Sequence, residues 1–144
     1  MITASPFAPA RAARHMYREI AVHSQTNAAA DSHHLITLLF DGFFEAIAQG
    51  RGAIRSGDVL TKCNALGRAI AIVEEGLRAA LDLKQGGPLA RDLRDLYAYV
   101  TLRLTKANLA GDEVALDECI SLMRPLADAW ASIRPNSANP NVGA

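Results

Sequence analysis

The side chains that most often do chemistry in helical proteins are present here, but not at the spacings that chemistry needs. A di-iron site in a helical bundle requires Glu-x-x-His pairs on inward faces. None of Glu19, Glu45, Glu74, Glu75, Glu113 or Glu118 has a histidine three residues later. No His-Glu-x-x-His, no Cys-x-x-Cys and no Gly-rich phosphate loop after a strand occurs. Asp31, His33 and His34 suggest a metal by residue type, but adjacent helical residues point about 100° apart and do not easily share an ion. A capped, solvated helix start is the better reading. Cys63 and Cys119 fall inside helical patterns, and no local signature pairs either with a histidine. Such cysteines in a reduced compartment are usually buried small hydrophobes. Asp92 and Asp95 with Arg91 and Arg94 read as a solvated helix face, and Arg103 and Lys106 need no ligand. The residues point away from an enzyme and require no cofactor or metal.

The composition narrows the classes further. The chain has 144 residues, half of them hydrophobic, and a formal net charge of zero. That length is enough for one domain with a sizeable core. Zero net charge argues against nucleic acid, which calls for a basic face, and against electrostatic attachment to an anionic membrane. It favours self-association through exposed apolar surface, so a homodimer stays open. No apolar run approaches the roughly 18 residues of a membrane span, so no stable membrane insertion is expected. No signal peptide is visible. The first 18 residues lack acids and carry Arg11, Arg14 and Arg18, a weak match to a transit peptide.

Apolar periodicity then supplies the elements. Residues 1–26 read as an N-terminal arm: Pro6 and Pro9 oppose a helix before residue 10. Ala10 to Ser24 is a short helical pattern, marginal alone, with Met16, Tyr17 and Ile20 on one side. A long helix should start at an Asp31 or Ser32 cap and run to about Arg55. Ser56-Gly57-Asp58 is a tight joint, Gly57 suiting a left-handed C-terminal cap and Asp58 the next N-cap. A helix over about Val59–Asp82 follows, then a Lys84–Pro88 joint, a helix over about Pro88–Ala110 and a second Gly-Asp joint at Gly111-Asp112. The last helix covers about Glu113–Ile133, with Pro125 inside it expected to kink it. Residues 134–144, rich in Pro, Asn and Gly, are expected to be disordered. Short joints force antiparallel neighbours. The fold class is therefore all-α: an up-down-up-down four-helix bundle over 32–133 with a short N-terminal helix or arm, one domain in all.

Several helices carry more apolar surface than one face requires. The long first helix has a stripe Leu35, Leu38, Leu39, Gly42, Ala46 and a second stripe Ile36, Phe40, Phe43, Ile47. The second stripe is read as the spare, partner-facing one, although the two are apolar alike and the assignment can be inverted. In the next helix Val59, Cys63, Leu66, Ile70, Val73, Leu77 and Ala80 form a seam. Beside it the small residues Ala65, Ala69, Ile72, Gly76 and Ala79 make either a groove for another helix or a tight contact within the bundle. Leu89, Leu93, Leu96, Val100, Leu104 and Ala107 are expected inward in the third helix, with Tyr97, Tyr99 and Leu102 off that seam. The candidate partner-binding residues are therefore Tyr17, Ile20, Ile36, Phe40, Phe43, Ile47, Ala69, Ile72, Gly76 and Tyr99. Read from the residues alone, three functions remain open: an interaction protein, a helical-bundle ligand carrier or enzyme, and a homodimeric adaptor.

Four motifs in order resemble the flagellar export chaperones of the FliS family. Tyr17 stands in the arm. Leu35-Ile36 with Leu39-Phe40-Asp41-Gly42 is similar to the family's Leu-Tyr-Asp-Gly stretch. Leu93-x-x-Leu96-Tyr97-x-Tyr99 with Leu104-x-x-Ala107-Asn108 resembles its penultimate helix, and Leu126-x-x-Ala129-Trp130 its closing motif. Phe40 replaces the usual tyrosine, and Ala30-Asp31-Ser32 lacks the proline often found before this helix. The resemblance implies a chaperone of the bacterial cytosol that binds the C-terminal region of flagellin. It implies further that the chaperone prevents premature polymerisation and delivers flagellin to a gate component of the flagellar type III export apparatus. The arm, anchored by Tyr17, is expected to lie over the binding groove when flagellin is absent and to act as an internal competitor.

Overall fold

The computed structural model describes residues 28–133. Four helices follow one another: α1 (Ala28–Ser56), α2 (Val59–Ala71), α3 (Leu83–Ala110) and α4 (Glu113–Ser132), with a π-helical stretch Ile72–Leu77 continuing α2. The all-α bundle expected from the sequence is the fold. Cross-helix pairings give its directions. Arg51 meets Glu113 while His33 meets Trp130, so α1 and α4 are antiparallel. Gly42 faces Ile72 and Gly50 faces Leu66, so α1 and α2 are antiparallel too. The expected arm and tail lie outside the described residues.

The joints follow from their turn chemistry. Gly57 and Gly111 end α1 and α3 in the left-handed region, at φ 73° and 64°, where a side chain would be strained. Asp58 then accepts from the Thr61 N–H at 3.1 Å, and Asp112 from those of Val114 and Ala115. Each carboxylate satisfies donors that a helix start leaves open. Two boundaries differ from expectation. Helix α1 is already helical at Ala28, the first described residue, so Asp31 lies inside it instead of capping it. Asp82 does not end a helix but caps α3, accepting from the Lys84 and Gln85 N–H groups at 3.1 Å. Gly87 breaks the lead-in of α3 at φ 54°, ψ −135°, and Pro88 starts its main part. Helix α4 continues through Pro125 without interruption.

The π-helical stretch explains a failure of simple periodicity. At 100° per residue, Ile72 and Leu77 would stand about 140° apart. The Arg78 N–H instead reaches the Val73 carbonyl at 2.8 Å, five residues back, and the wider winding turns Ile72, Val73 and Leu77 all inward. Glu74, on its outer side, takes an ion pair from Arg78 and a hydrogen bond from the Thr101 hydroxyl of α3.

Packing of α1 on α2 is a close backbone approach in which glycines face large side chains. A Cβ at Gly42 would stand 3.3 Å from Ile72, one at Gly76 would stand 2.9 Å from Leu39, and one at Gly50 would overlap Leu66, whose Cγ would be 2.8 Å away. Ala65 and Ala69 are buried here, so the first part of the small-residue stripe is a contact within the bundle, while Ile72, Gly76 and Ala79 further along it line the open end. The fully buried large side chains include Phe43, Ile47, Leu66, Leu104, Leu116 and Met123. Near the two tight joints, Arg51 pairs with Glu113 at 2.9 Å and with Asp117, and Arg55 also pairs with Glu113.

A matched pair of substitutions tests the close approach. A methyl group at Gly52 would meet nothing within 4 Å, so Gly52→Ala should stabilise by up to about 1 kcal/mol through helix propensity. Gly50→Ala, two residues away on the same helix, should instead destabilise by about 1–3 kcal/mol, because Leu66 is fully buried and has no room to yield. Urea midpoints at constant slope measure both.

Candidate functional site

At the end of the bundle away from the tight joints, the four helices do not close over their apolar ends. The N-terminal half of α1, the π-helical stretch, the start of α3 and the end of α4 enclose an open groove of about 1000 Å³. Antiparallel topology explains the location, since those four segments share one end of the bundle. The kink at Gly87 divides two of the lining leucines, Leu81 and Leu89. Its walls are almost entirely aliphatic and aromatic. Among the described residues Arg68 is the one charged side chain in the lining.

The sequence candidates divide on this geometry. Ile36, Phe40, Ile72 and Gly76 line the groove. Phe43, Ile47 and Ala69 do not: all three are at 0% exposure in the core. The expected division of α1 is thereby corrected. Ile36, Phe40 and Ile47 were expected to be more exposed than Leu35, Leu39 and Ala46, yet Ile36 is half-buried as Leu35 and Leu39 are, and Ile47 and Ala46 are both fully buried. Phe40 is 4% exposed and reaches the groove only as part of its floor, while Leu35 and Leu39 are half-buried along it. The core takes the side with the phenylalanines, because the other side carries the glycines that let α2 come close. Tyr99 lies outside the groove lining, 41% exposed, and its hydroxyl donates to Glu118 at 2.6 Å. That hydrogen bond raises the Tyr99 hydroxyl and lowers the Glu118 carboxyl, which Arg103 also holds. Tyr17 and Ile20 lie outside the described residues.

Other lining residues were missed or placed elsewhere. Leu38, 40% exposed, and Leu89, 68% exposed, were assigned inward. Tyr97, read as off the seam, is buried at the groove wall, and burial pushes its hydroxyl up. Leu126, Ala129, Trp130 and Ile133 complete the wall on α4. The available signal was positional: Leu35 and Leu38, Leu81, Leu89 and Leu126 sit at helix ends that antiparallel topology gathers together.

A clasp stands at the groove's edge. The His33 ring stacks on Trp130 with centroids 4.7 Å apart, His33 Nε2 lies 2.9 Å from the Trp130 carbonyl, and Trp130 Nε1 donates to the His33 carbonyl at 3.0 Å. His33 is thus a structural tie between α1 and α4, not part of a solvated helix start. Among the described residues no three His, Cys, Asp or Glu are grouped to hold a metal. Cys119 is buried beside the Val100 carbonyl, and desolvation pushes its thiol up to about 12. Cys63, expected to be buried, is exposed. No helix among the described residues is long and apolar enough to cross a membrane.

The structure is thus a four-helix bundle with an open, largely apolar groove, in which Arg68 is the one charged side chain among the described lining residues. The family model described as "Flagellar protein FliS" matches residues 11–137. The chain is 39% identical to the flagellar secretion chaperone FliS of Salmonella typhimurium over 122 residues, covering 85% of this chain and 90% of that one. It is 38% identical to the flagellar secretion chaperone FliSB of Pseudomonas aeruginosa over 117 residues, covering 81% and 91%. Against the Vibrio cholerae flagellar secretion chaperone FliS it is 33% identical over 123 residues, covering 85% and 89%. The chain belongs to the FliS family, a family of flagellar secretion chaperones and not of enzymes.

The clasp has a direct readout, because Trp130 is the chain's single tryptophan. His33→Ala removes the ring stack and one of the two cross-helix hydrogen bonds. It should cost about 1–2 kcal/mol of stability and shift Trp130 emission to the red. Denaturant unfolding followed by fluorescence measures both, and an unchanged emission maximum would show that the clasp does not shield the indole.

Proposed function

We propose that the groove receives the C-terminal segment of flagellin in the bacterial cytosol, keeps it from polymerising and hands it to a gate component of the flagellar export apparatus. The observation that carries this reading is the open, almost wholly apolar groove of about 1000 Å³ in a chain of this family. A segment that is unstructured before assembly and amphipathic when helical suits such a site. Its apolar face fills the groove, and the area removed from water offsets the entropy of ordering it. Within the groove, Ile36, Ile72, Gly76, Leu38 and Leu39 are the contact residues of this reading, with Phe40 as floor. Phe43, Ile47 and Ala69 act behind them by holding the helices that form the groove.

Calorimetry with a flagellin C-terminal fragment tests this. Leu38→Asp should weaken binding at least tenfold, the loss of about 1.4 kcal/mol or more expected when a partly exposed apolar contact becomes a charge, with helicity and thermal midpoint nearly unchanged. Phe43→Asp, by contrast, should unfold the chain. A small molecule co-purifying in the groove, or burial of the groove in a stable homodimer that excludes the fragment, would replace this reading.

Ser32 and Leu35, near the N-terminal end of α1, line the groove. We propose that the arm, through Tyr17 and Ile20, competes with flagellin for this surface. Deleting residues 1–24 should then raise self-association and tighten fragment binding by the fraction of time the groove is covered. Weaker binding by the truncated protein would mean that the arm contacts flagellin itself, and a large loss of stability would mean that it completes the core.

A further inference from the structure

We propose that Arg68 selects what enters the groove, by pairing with an aspartate or glutamate that the docked helix carries beside its apolar face. The inference rests on the groove being the flagellin site and names a chemical requirement on the segment that fills it.

Three observations on Arg68 lead there. It is the one charged residue among the described residues that line the groove, within walls that are otherwise apolar. Among the described residues no carboxylate forms an ion pair with it. Its Nη2 donates to the neutral Gln49 at 3.1 Å, and its Nε–H is buried with no acceptor. Arg51, Arg55, Arg78, Arg94 and Arg103 each hold a carboxylate, and Arg124 lies over the Phe44 ring at 3.6 Å. Arg91 has no ion pair among the described residues either, but it is exposed and outside the groove lining, so the position in the groove is what sets Arg68 apart. Asp41 and Glu45 share a polar strip of α1 with Gln49, yet neither forms an ion pair with Arg68.

The free groove leaves this guanidinium partly in water, which keeps an unpaired charge inexpensive. Docking changes that. An apolar helix laid along the groove removes water from Arg68, and a desolvated cation without an acceptor is strongly unfavourable. A purely apolar occupant is therefore penalised at this point. An occupant with a carboxylate there gains a charge-assisted, potentially bidentate pair. A lysine or arginine at the same place would be repelled. The arrangement discriminates among amphipathic helices that the aliphatic wall alone would accept alike.

The test uses the full chain and the flagellin C-terminal fragment. Arg68→Gln should weaken binding about tenfold, the scale of one charge-assisted hydrogen bond, while Arg68→Lys should recover part of the loss. The salt dependence of binding should fall in Arg68→Gln. On the other side, each Asp and Glu of the fragment is changed in turn to Asn or Gln, which leaves the chaperone's fold untouched. One of these changes should weaken binding to the unsubstituted chain about tenfold and have little further effect on Arg68→Gln. Equal affinity and salt dependence in Arg68→Gln, with Leu38→Asp still disruptive, would overturn the role of Arg68 and leave the groove reading intact. Coupling to no acidic side chain of the fragment, or only to its terminal carboxylate, would also overturn it. If the unsubstituted chain does not bind the fragment at all, the groove reading fails and this inference with it.

Discussion

Everything in this structure depends on how closely α1 and α2 approach. Gly50 receives Leu66, Gly42 receives Ile72 and Gly76 receives Leu39, so large side chains of one helix sit where the other has none. Interdigitation of this kind is the dense packing that cores need, achieved here along most of a helix pair. It has a geometric consequence. The glycine-bearing side of α1 is committed to α2, and Phe44 on its other side meets Arg124 of α4. Leu35 and Leu38, just beyond the glycines toward the N-terminus, are left without a full partner and become the groove wall.

The parts legible in the sequence were those decided locally. Gly57-Asp58 and Gly111-Asp112 combine a residue that tolerates positive φ with one that caps a helix, and both behave as their chemistry dictates. Helix number and antiparallel order follow from the same joints. Which of two apolar stripes faces the core was not local. In α1 both stripes are apolar, and the choice rests on which of them offers glycines to receive the large side chains of α2. That is a property of the pair. The π-helical stretch was invisible for a related reason. Periodicity assigned Ile72 and Leu77 to different stripes, and only a change of winding lets both be buried along with Val73.

The functional candidates divide for the same cause. A stripe of large apolar residues signals burial without saying by what. Phe43 and Ile47 are buried by the chain's own helices, whereas Ile36 and Phe40, on the same stripe one or two turns earlier, reach the groove. Position along the helix therefore decides which of these residues reach the groove, where position around it does not. Tyr99 illustrates the opposite error: an aromatic off the seam reads as a spare contact, yet its hydroxyl is engaged by Glu118 and its location is on another face. His33 read as a solvated helix start and Trp130 as part of a closing motif, and only the closing of α4 onto α1 makes them a unit.

This separation along the bundle axis bears on how binding and folding can coexist. A chaperone needs exposed apolar surface, and exposed apolar surface in a patch of this size invites aggregation and weakens a small core. Here the two demands occupy different parts of the bundle. Most of the completely buried large side chains, among them Phe43, Ile47, Leu66, Leu104, Leu116 and Met123, hold the middle and the end with tight joints, where Arg51 and Arg55 also tie α1 to α4, while Val73 anchors the π-helical stretch. The groove takes the opposite end, where the His33–Trp130 clasp keeps α1 and α4 together beside the opening. The exposed lining residues, Leu38 and Leu89 among them, can therefore be altered with little loss of core packing, whereas Phe40, Leu77 and Tyr97 belong to the groove and to the core at once.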